Sequence, residues 1–384
     1  MRTAKIIGTG SYLPGEPIPN QALERVFGTG DEWLSAQLGI ISRHWATDIR
    51  TGRCAETNSD MAAKAGLDAV RNAGLAVEDI DLVIVSTCTP DYPIPATAPF
   101  VQEKMGLAEC AVLELRSGCV GAIQALSIGG QYIRGGVYDT VLAIGSELLS
   151  PFLTGGFLGE GGEELTVADR LNALMYGDGA GAVVLRGGES GDGVIAECFN
   201  SVGVGRSPAF VLPAGGSAHP LSHEVLTKGL HRFKHDYKAV YKLGPALVLQ
   251  SVEDILRKAN LKPEEVDRYI LPQTNATALQ RAIRRLVRLR ADEVDEFVSP
   301  ETEATRLRRE IKRLKQDASV RWEDAWERIF VNADRVGNTG SASFFLALDE
   351  MNKKGLLKRG HVVVMAGGEA TKWLYGGAAF RWSM

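Results

Sequence analysis

The sequence predicts an α/β protein made of two copies of one unit, and three observations carry that expectation. First, the chain repeats itself: "DAVRNAGLAVEDIDLVIVSTCTP" from Asp68 aligns without a gap to "DILRKANLKPEEVDRYILPQTNA" from Asp254. Second, a further pair, "SGCVGAIQALSIGGQYIRGGVYDTVLAIGSE" and "VGNTGSASFFLALDEMNKKGLLKRGHVVVMAGGE", each runs from a Gly-flanked turn through a helix and a strand to Gly-x-Glu. Third, continuous apolar strands such as "VLAIG" and "VVVMAGG" alternate with helical patterns, as parallel layers covered on both faces require.

In the first pair, Asp68 matches Asp254, Arg71 matches Arg257, Leu75 matches Leu261 and Asp81 matches Asp267. Each copy reads as an amphipathic helix, a short acidic turn and a buried strand, "LVIVS" or "RYILP". The second pair sets Cys119 and Asn338 in equivalent places. The Gly-rich "RGGESGDG" at 186–193 is the expected junction, dividing the chain into halves at 1–186 and 187–384. "GTGSYLPG" and "YGDGAGAV" lack the spacing and lysine of a phosphate loop and read as tight turns.

The 384 residues suffice for a large core, and 45% hydrophobic with 23% charged content is ordinary for a globular protein. A net charge of -4 gives no general nucleic-acid footprint. No apolar run is long enough to span a membrane, and the N-terminus has no leader-like core, so a cytoplasmic location is expected. The five cysteines show no metal-binding spacing, and no metal is expected.

Cys119 in "ELRSGCVGAIQAL" stands between an apolar strand and a helix of small residues. A helix start offers unpaired N–H groups and a positive dipole end, both of which favour a thiolate and lower its pKa. Gly118 and Gly121 permit a tight turn and a close substrate approach. The expected role is nucleophile.

Taken together, "KIIGTGSYLP", "DEWLSAQLGIISRHWA", "SGCVGA", "YGDGAGAVVL", "NADRVGNTGSASFFLALDE" and "GGEATKWLYGGAAFRW" resemble the β-ketoacyl-acyl-carrier-protein synthase III group of the thiolase superfamily. The resemblance covers nearly the whole chain. It implies a five-layer αβαβα thiolase-like fold, a homodimer and an acyl group carried on Cys119. The donor would be an acyl-coenzyme A or acyl-phosphopantetheine thioester, with no permanently bound cofactor. Decarboxylative condensation with a malonyl-type thioester on an acyl carrier protein would follow. Asn338 matches the asparagine of the second half-site, and Gly367–Gly368 matches the loop whose N–H completes an oxyanion hole with that of Cys119. Trp33 matches an aromatic used against the coenzyme A adenine, or is a packing residue. Arg170 matches a nearby basic contact.

Several positions depart from the family pattern. Where the family has Pro-His-Gln-Ala-Asn, this chain has "LPQTNAT", so either Gln273 or Pro272 occupies the histidine position. All six histidines lie elsewhere, with His219 and His223 available as substitutes or as surface residues. The expected triad is therefore Cys119, Gln273 and Asn338. A Gln amide donates hydrogen bonds but does not shuttle protons at neutral pH. Gln37 stands where the family has an arginine, which favours a carrier-protein donor over free coenzyme A. A charged helical insertion at about 283–328 begins within "ALQRAIRRLVRLR", whose Arg281, Arg284, Arg285 and Arg288 share a helix face suited to an acidic carrier protein; a solvated cap is the other reading. Condensation leads, transfer of the acyl group to a hydroxyl or amine (of a sugar, for example) is the alternative, and a non-catalytic partner subunit is third.

Overall fold

A computed structural model describes residues 2–27, 38–154, 166–189, 191–273 and 328–384. Among the described residues are two five-stranded sheets. The first holds β1 (Thr3–Tyr12), β2 (Leu82–Ser86), β3 (Ala111–Leu115), β4 (Thr140–Glu147) and β5 (Gly179–Gly188). The second holds β6 (Gly193–Ser201), β7 (Arg268–Ile270), β8 (Ile329–Phe330), β9 (Val362–Gly368) and β10 (Leu374–Arg381).

The two sheets share one topology. The strand order β1–β5–β4–β2–β3 in the first is matched by β6–β10–β9–β7–β8 in the second. In each, the first strand is antiparallel to the last, the last antiparallel to the fourth, and the remaining pairs are parallel. The repeat seen in the sequence is thus a repeat of connectivity. Even a small device recurs: Asp81 accepts the Thr140 N–H at the start of β4, and Asp267 accepts the Val362 N–H at the start of β9.

Helices fill three layers. α1 (Asn58–Asn72) covers the outer face of the first sheet, and Ala65, Ala69 and Val70 pack there with Val83 and Val85. α2 (Gly121–Arg134) and α5 (Ser343–Lys353) lie between the sheets, where Ile123, Leu126, Phe344 and Phe345 meet Ile84 from one side and Met365 from the other. α4 (Tyr237–Ala259) covers the outer face of the second sheet with Val252 and Ile255 against Val364. Successive residues of β2 and β9 therefore enter different apolar layers, which is why these strands read as unbroken hydrophobic runs. A further helix, α3 (Val167–Met175), leads into β5.

The two Gly-rich segments are strands where turns were expected. Gly8 and Gly10 belong to β1, and "YGDGAGAV" runs into β5 at Gly179. Their glycines allow backbone contact: a Cβ on Gly181 would lie 2.7 Å from the Leu346 N of α5. β5 continues to Gly188, and β6 begins at Gly193. No described helix is long and apolar enough to cross a membrane.

Candidate active site

Cys119 is the middle residue of a single 3₁₀ turn, Gly118–Val120, that joins β3 to α2. Gly118 has φ of 55°, and a Cβ there would lie 2.6 Å from Glu369 Oε2, so glycine is required on both counts. The second half repeats the turn as Gly340–Ala342 ahead of α5. Gly340 has φ of 53°, and its Cβ would lie 2.8 Å from Glu147 Cγ. The two turns touch each other between the sheets.

This superposition corrects one sequence expectation. The structural counterpart of Cys119 is Ser341, and Asn338 lies three residues before it. The sequence pairing placed Asn338 opposite Cys119 because the segment before the second helix differs in length. Asn338 nevertheless leads into the same turn and caps its first residue. Its N–H donates to Met175 O at 2.8 Å, its C=O accepts from Gly177 N–H at 3.0 Å, and its Oδ1 accepts from Gly340 N–H at 3.0 Å. The side chain is buried, with Oδ1 fixed by the turn and the amide NH₂ left to donate.

The electrostatics differ from the expectation of a lowered thiol pKa. Burial pushes the Cys119 thiol up to about 12, with the carboxylates of Glu369 and Glu147 adding to the rise. Its own backbone N–H acts in the opposite direction and does not prevail. One turn of helix dipole is a small effect beside desolvation and two nearby negative charges. Cys119 keeps partial exposure, so a substrate reaches a thiol rather than a preformed thiolate. Glu147 is itself raised by burial, although it accepts bonds from Thr89 Oγ1 at 2.6 Å, Ser341 Oγ at 2.9 Å and Cys88 N–H at 3.0 Å. Cys88, two residues past the end of β2, lies in the same field of Glu147 and Glu369.

Gln273 is placed differently from an enolate donor. Its Nε2 donates to Leu271 O at 2.9 Å and Phe330 O at 3.0 Å, and its Oε1 accepts from Asn332 N–H at 2.9 Å. The amide ties the ends of β7 and β8 together, so both of its hydrogens are already committed to backbone. Pro272, the other candidate for that position, packs against Gly367 and has no proton to offer.

The two glycines of the loop differ in where their N–H groups go. Gly367 donates its N–H to Ser251 Oγ at 3.0 Å, and that hydroxyl donates to Gly376 O at 2.6 Å. Ser251 therefore sits inside the β9–β10 ladder, bridging a pair that would otherwise bond directly. Glu369 N–H bonds Leu374 O at 2.9 Å, so by the alternation of an antiparallel ladder the N–H of Gly368 points away from β10. Of the two glycines, Gly368 is the one left as a donor.

Arg170 lies on α3 and is half-buried. Trp33, Gln37, Arg281, Arg284, Arg285 and Arg288, with nearly all of the charged insertion, lie outside the described residues. His219 and His223 are exposed in the segment between β6 and α4. A histidine that sequence reading set aside, His235, is instead half-buried beside Tyr176, with ring centroids 6.2 Å apart. Its Nδ1 bonds Asn172 Oδ1 at 3.0 Å, and burial pushes its pKa down to about 4, which keeps the ring neutral. Glu369 was also missed as a site residue, although the repeated Gly-x-Glu that ends both copies was its visible signal.

Comparison with known proteins agrees with this architecture. Residues 113–203 match the model described as 3-oxoacyl-[acyl-carrier-protein (ACP)] synthase III, and residues 288–382 match that of its C-terminal part. The chain is 32% identical to a β-ketoacyl-[acyl-carrier-protein] synthase III of Caldanaerobacter subterraneus over 99% of this chain and 98% of the relative. It is 33% identical to that of Clostridium acetobutylicum over the full length of both. The crystal structure of 3-oxoacyl-(acyl carrier protein) synthase III from Pseudomonas aeruginosa superposes with a TM-score of 0.76 at 28% identity, covering 100% of this chain and 99% of that one.

Proposed function

Because the chain belongs to the 3-oxoacyl-[acyl-carrier-protein] synthase III family of condensing, acyl-transferring enzymes, we propose that it loads an acyl group on Cys119 and condenses it with a malonyl-type thioester. The observation that carries this reading is the meeting of the Cys119 turn with the turn that holds Asn338. Cys119 Sγ attacks the carbonyl of an acyl-coenzyme A or acyl-carrier-protein thioester. The N–H groups of Cys119 and Gly368 receive the oxyanion, a contribution of about 3–4 kcal/mol per donor at such sites. The Asn338 amide then donates to the enolate formed as the malonyl group loses carbon dioxide, and the enolate carbon attacks the Cys119 ester.

An acyl carrier protein is the proposed partner, with Arg281, Arg284, Arg285 and Arg288 as its docking face. A homodimer is proposed as well. Supporting it, β3 is an edge strand whose five residues, Ala111, Val112, Leu113, Glu114 and Leu115, are all only half-buried, an apolar edge that a second subunit would cover.

A second reading is favoured by Gln273. With its hydrogens committed to Leu271 and Phe330, the enolate has one side-chain donor where the family pattern has two. Transfer of the Cys119-bound acyl group to a hydroxyl or amine needs no enolate. The experiment is intact-protein mass after incubation with acyl-coenzyme A and acyl-carrier-protein donors, beside Cys119→Ala, followed by addition of malonyl-carrier protein. Carbon dioxide stoichiometric with product establishes condensation; an ester or amide without carbon dioxide establishes transfer. No mass gain on the unsubstituted chain overturns both.

A further inference from the structure

Two buried glutamates occupy equivalent positions in the duplicated plan. Glu147 ends β4 in "GSE" and Glu369 follows β9 in "GGE". Each crosses to the turn of the opposite half. Glu147 packs on Gly340 and accepts from Ser341 Oγ at 2.9 Å. Glu369 packs on Gly118, with Oε2 2.6 Å from where a Cβ would stand. Cys119 holds the place of Ser341, so a thiol stands where the other half sets a hydroxyl on its carboxylate, and Glu369, packed on the neighbouring Gly118, puts its charge close enough to act on that thiol.

The Glu369 carboxylate is held firmly. Oε1 accepts the N–H of Leu374 at 2.6 Å and of Lys372 at 3.1 Å, and Oε2 accepts the N–H of Thr371 at 2.5 Å and its hydroxyl. Three of these donors are fixed backbone amides. The fourth, the Thr371 hydroxyl, turns about its own bond and can yield its place on Oε2. A fixed negative charge beside a nucleophilic sulfur opposes a resting thiolate. The same charge helps when the sulfur loses its proton only as it attacks, because the carboxylate then has a proton to receive.

Resting on the acyl-loading reading above, we infer that Glu369 is the proton acceptor of Cys119, a role that no histidine and not Gln273 takes here. As Sγ bonds to the thioester carbonyl carbon, the S–H proton passes to Glu369 Oε2 and the carbonyl π pair moves to oxygen. When the tetrahedral intermediate collapses, the bond from carbon to the donor sulfur breaks. The departing thiolate takes the proton back from Glu369 and leaves as a thiol.

Glu369→Gln tests this through two rates on the full-length protein. One is acyl loading of Cys119, read by intact mass with a panel of straight-chain acyl-coenzyme A donors. The other is alkylation by iodoacetamide, which consumes whatever thiolate is already present. The expected result is opposite signs: loading falls about 100-fold or more, while alkylation rises because a repelling charge is gone. Glu369→Asp, which keeps the charge and shortens its reach, gives the same answer should the Gln variant not fold; loading falls and alkylation stays at the wild-type rate. Loading at the wild-type rate in either variant overturns the proton-acceptor role alone. A parallel fall of both rates shows a purely structural role and overturns it too. Absence of loading in the unsubstituted chain overturns it together with the reading on which it rests.

Discussion

The resting protonation of Cys119 gives a prediction whose size follows from its surroundings. With the thiol pushed up to about 12, roughly one molecule in 10⁴ to 10⁵ carries a thiolate at pH 7.5. Against a thiol with the ordinary value of 9.0, that is about a 10³-fold lower thiolate population. A more basic thiolate is a better nucleophile, and with a Brønsted slope of 0.4–0.5 three pKa units recover about 10^1.2 to 10^1.5. Alkylation of Cys119 by iodoacetamide is therefore expected about 30- to 60-fold slower than that of an unperturbed thiol. The rate should climb about tenfold per pH unit without levelling off through pH 10. The assay follows the Cys119 peptide by mass from pH 7 to 10, with exposed Cys54 as the internal comparison. A plateau at or below pH 9 would refute the reasoning, because it would mean that the helix start outweighs burial and the two carboxylates.

Three other perturbations test separate parts of the site. Gly118→Ala forces a side chain into the left-handed region, at roughly 1–2 kcal/mol, and presses a Cβ onto the fixed Glu369 carboxylate. A lower melting temperature and loss of acyl loading are expected, and a variant that loads normally speaks against the close fit. Asn338→Ala should leave Cys119 loading intact and slow condensation by about 100-fold or more; intact mass and product formation measure the two steps, and equal losses in both would show that Asn338 only shapes the turn. Ser251→Ala strands the Gly367 N–H and the Gly376 C=O between two strands, at about 2–4 kcal/mol. An unchanged thermal midpoint would show that the strands close up and bond directly.

Much of the site was legible in the sequence, and the part that was not depends on contacts between distant segments. Cys119 declared itself by composition, since burial alone does not call for a thiol between two glycines at a strand-to-helix joint. The repeated Gly-x-Glu was equally visible, yet nothing in the sequence says that each glutamate belongs to the turn of the other half. Gln273 shows the reverse difficulty. Its residue type fitted a donor role, but a primary amide serves whichever partners fold beside it, and here those are Leu271 O, Phe330 O and Asn332 N–H.

The sequence by itself determined the duplicated plan, because period-matched apolar runs bounded by glycine and acidic turns leave one arrangement of layers that buries them. It also singled out Cys119 and the glycines around it, since a tight strand-to-helix turn is a local backbone requirement. Only the tertiary structure decided the counterpart of Cys119, which of two glycines turns its N–H out of the β9–β10 ladder, the direction of the thiol's pKa and the carboxylates whose charge it feels. The thiol's pKa depends on residues brought together across the interface of the halves, where burial and through-space charge outweigh anything set by neighbours along the chain; the glycine choice depends on Ser251 bridging the β9–β10 ladder within one half.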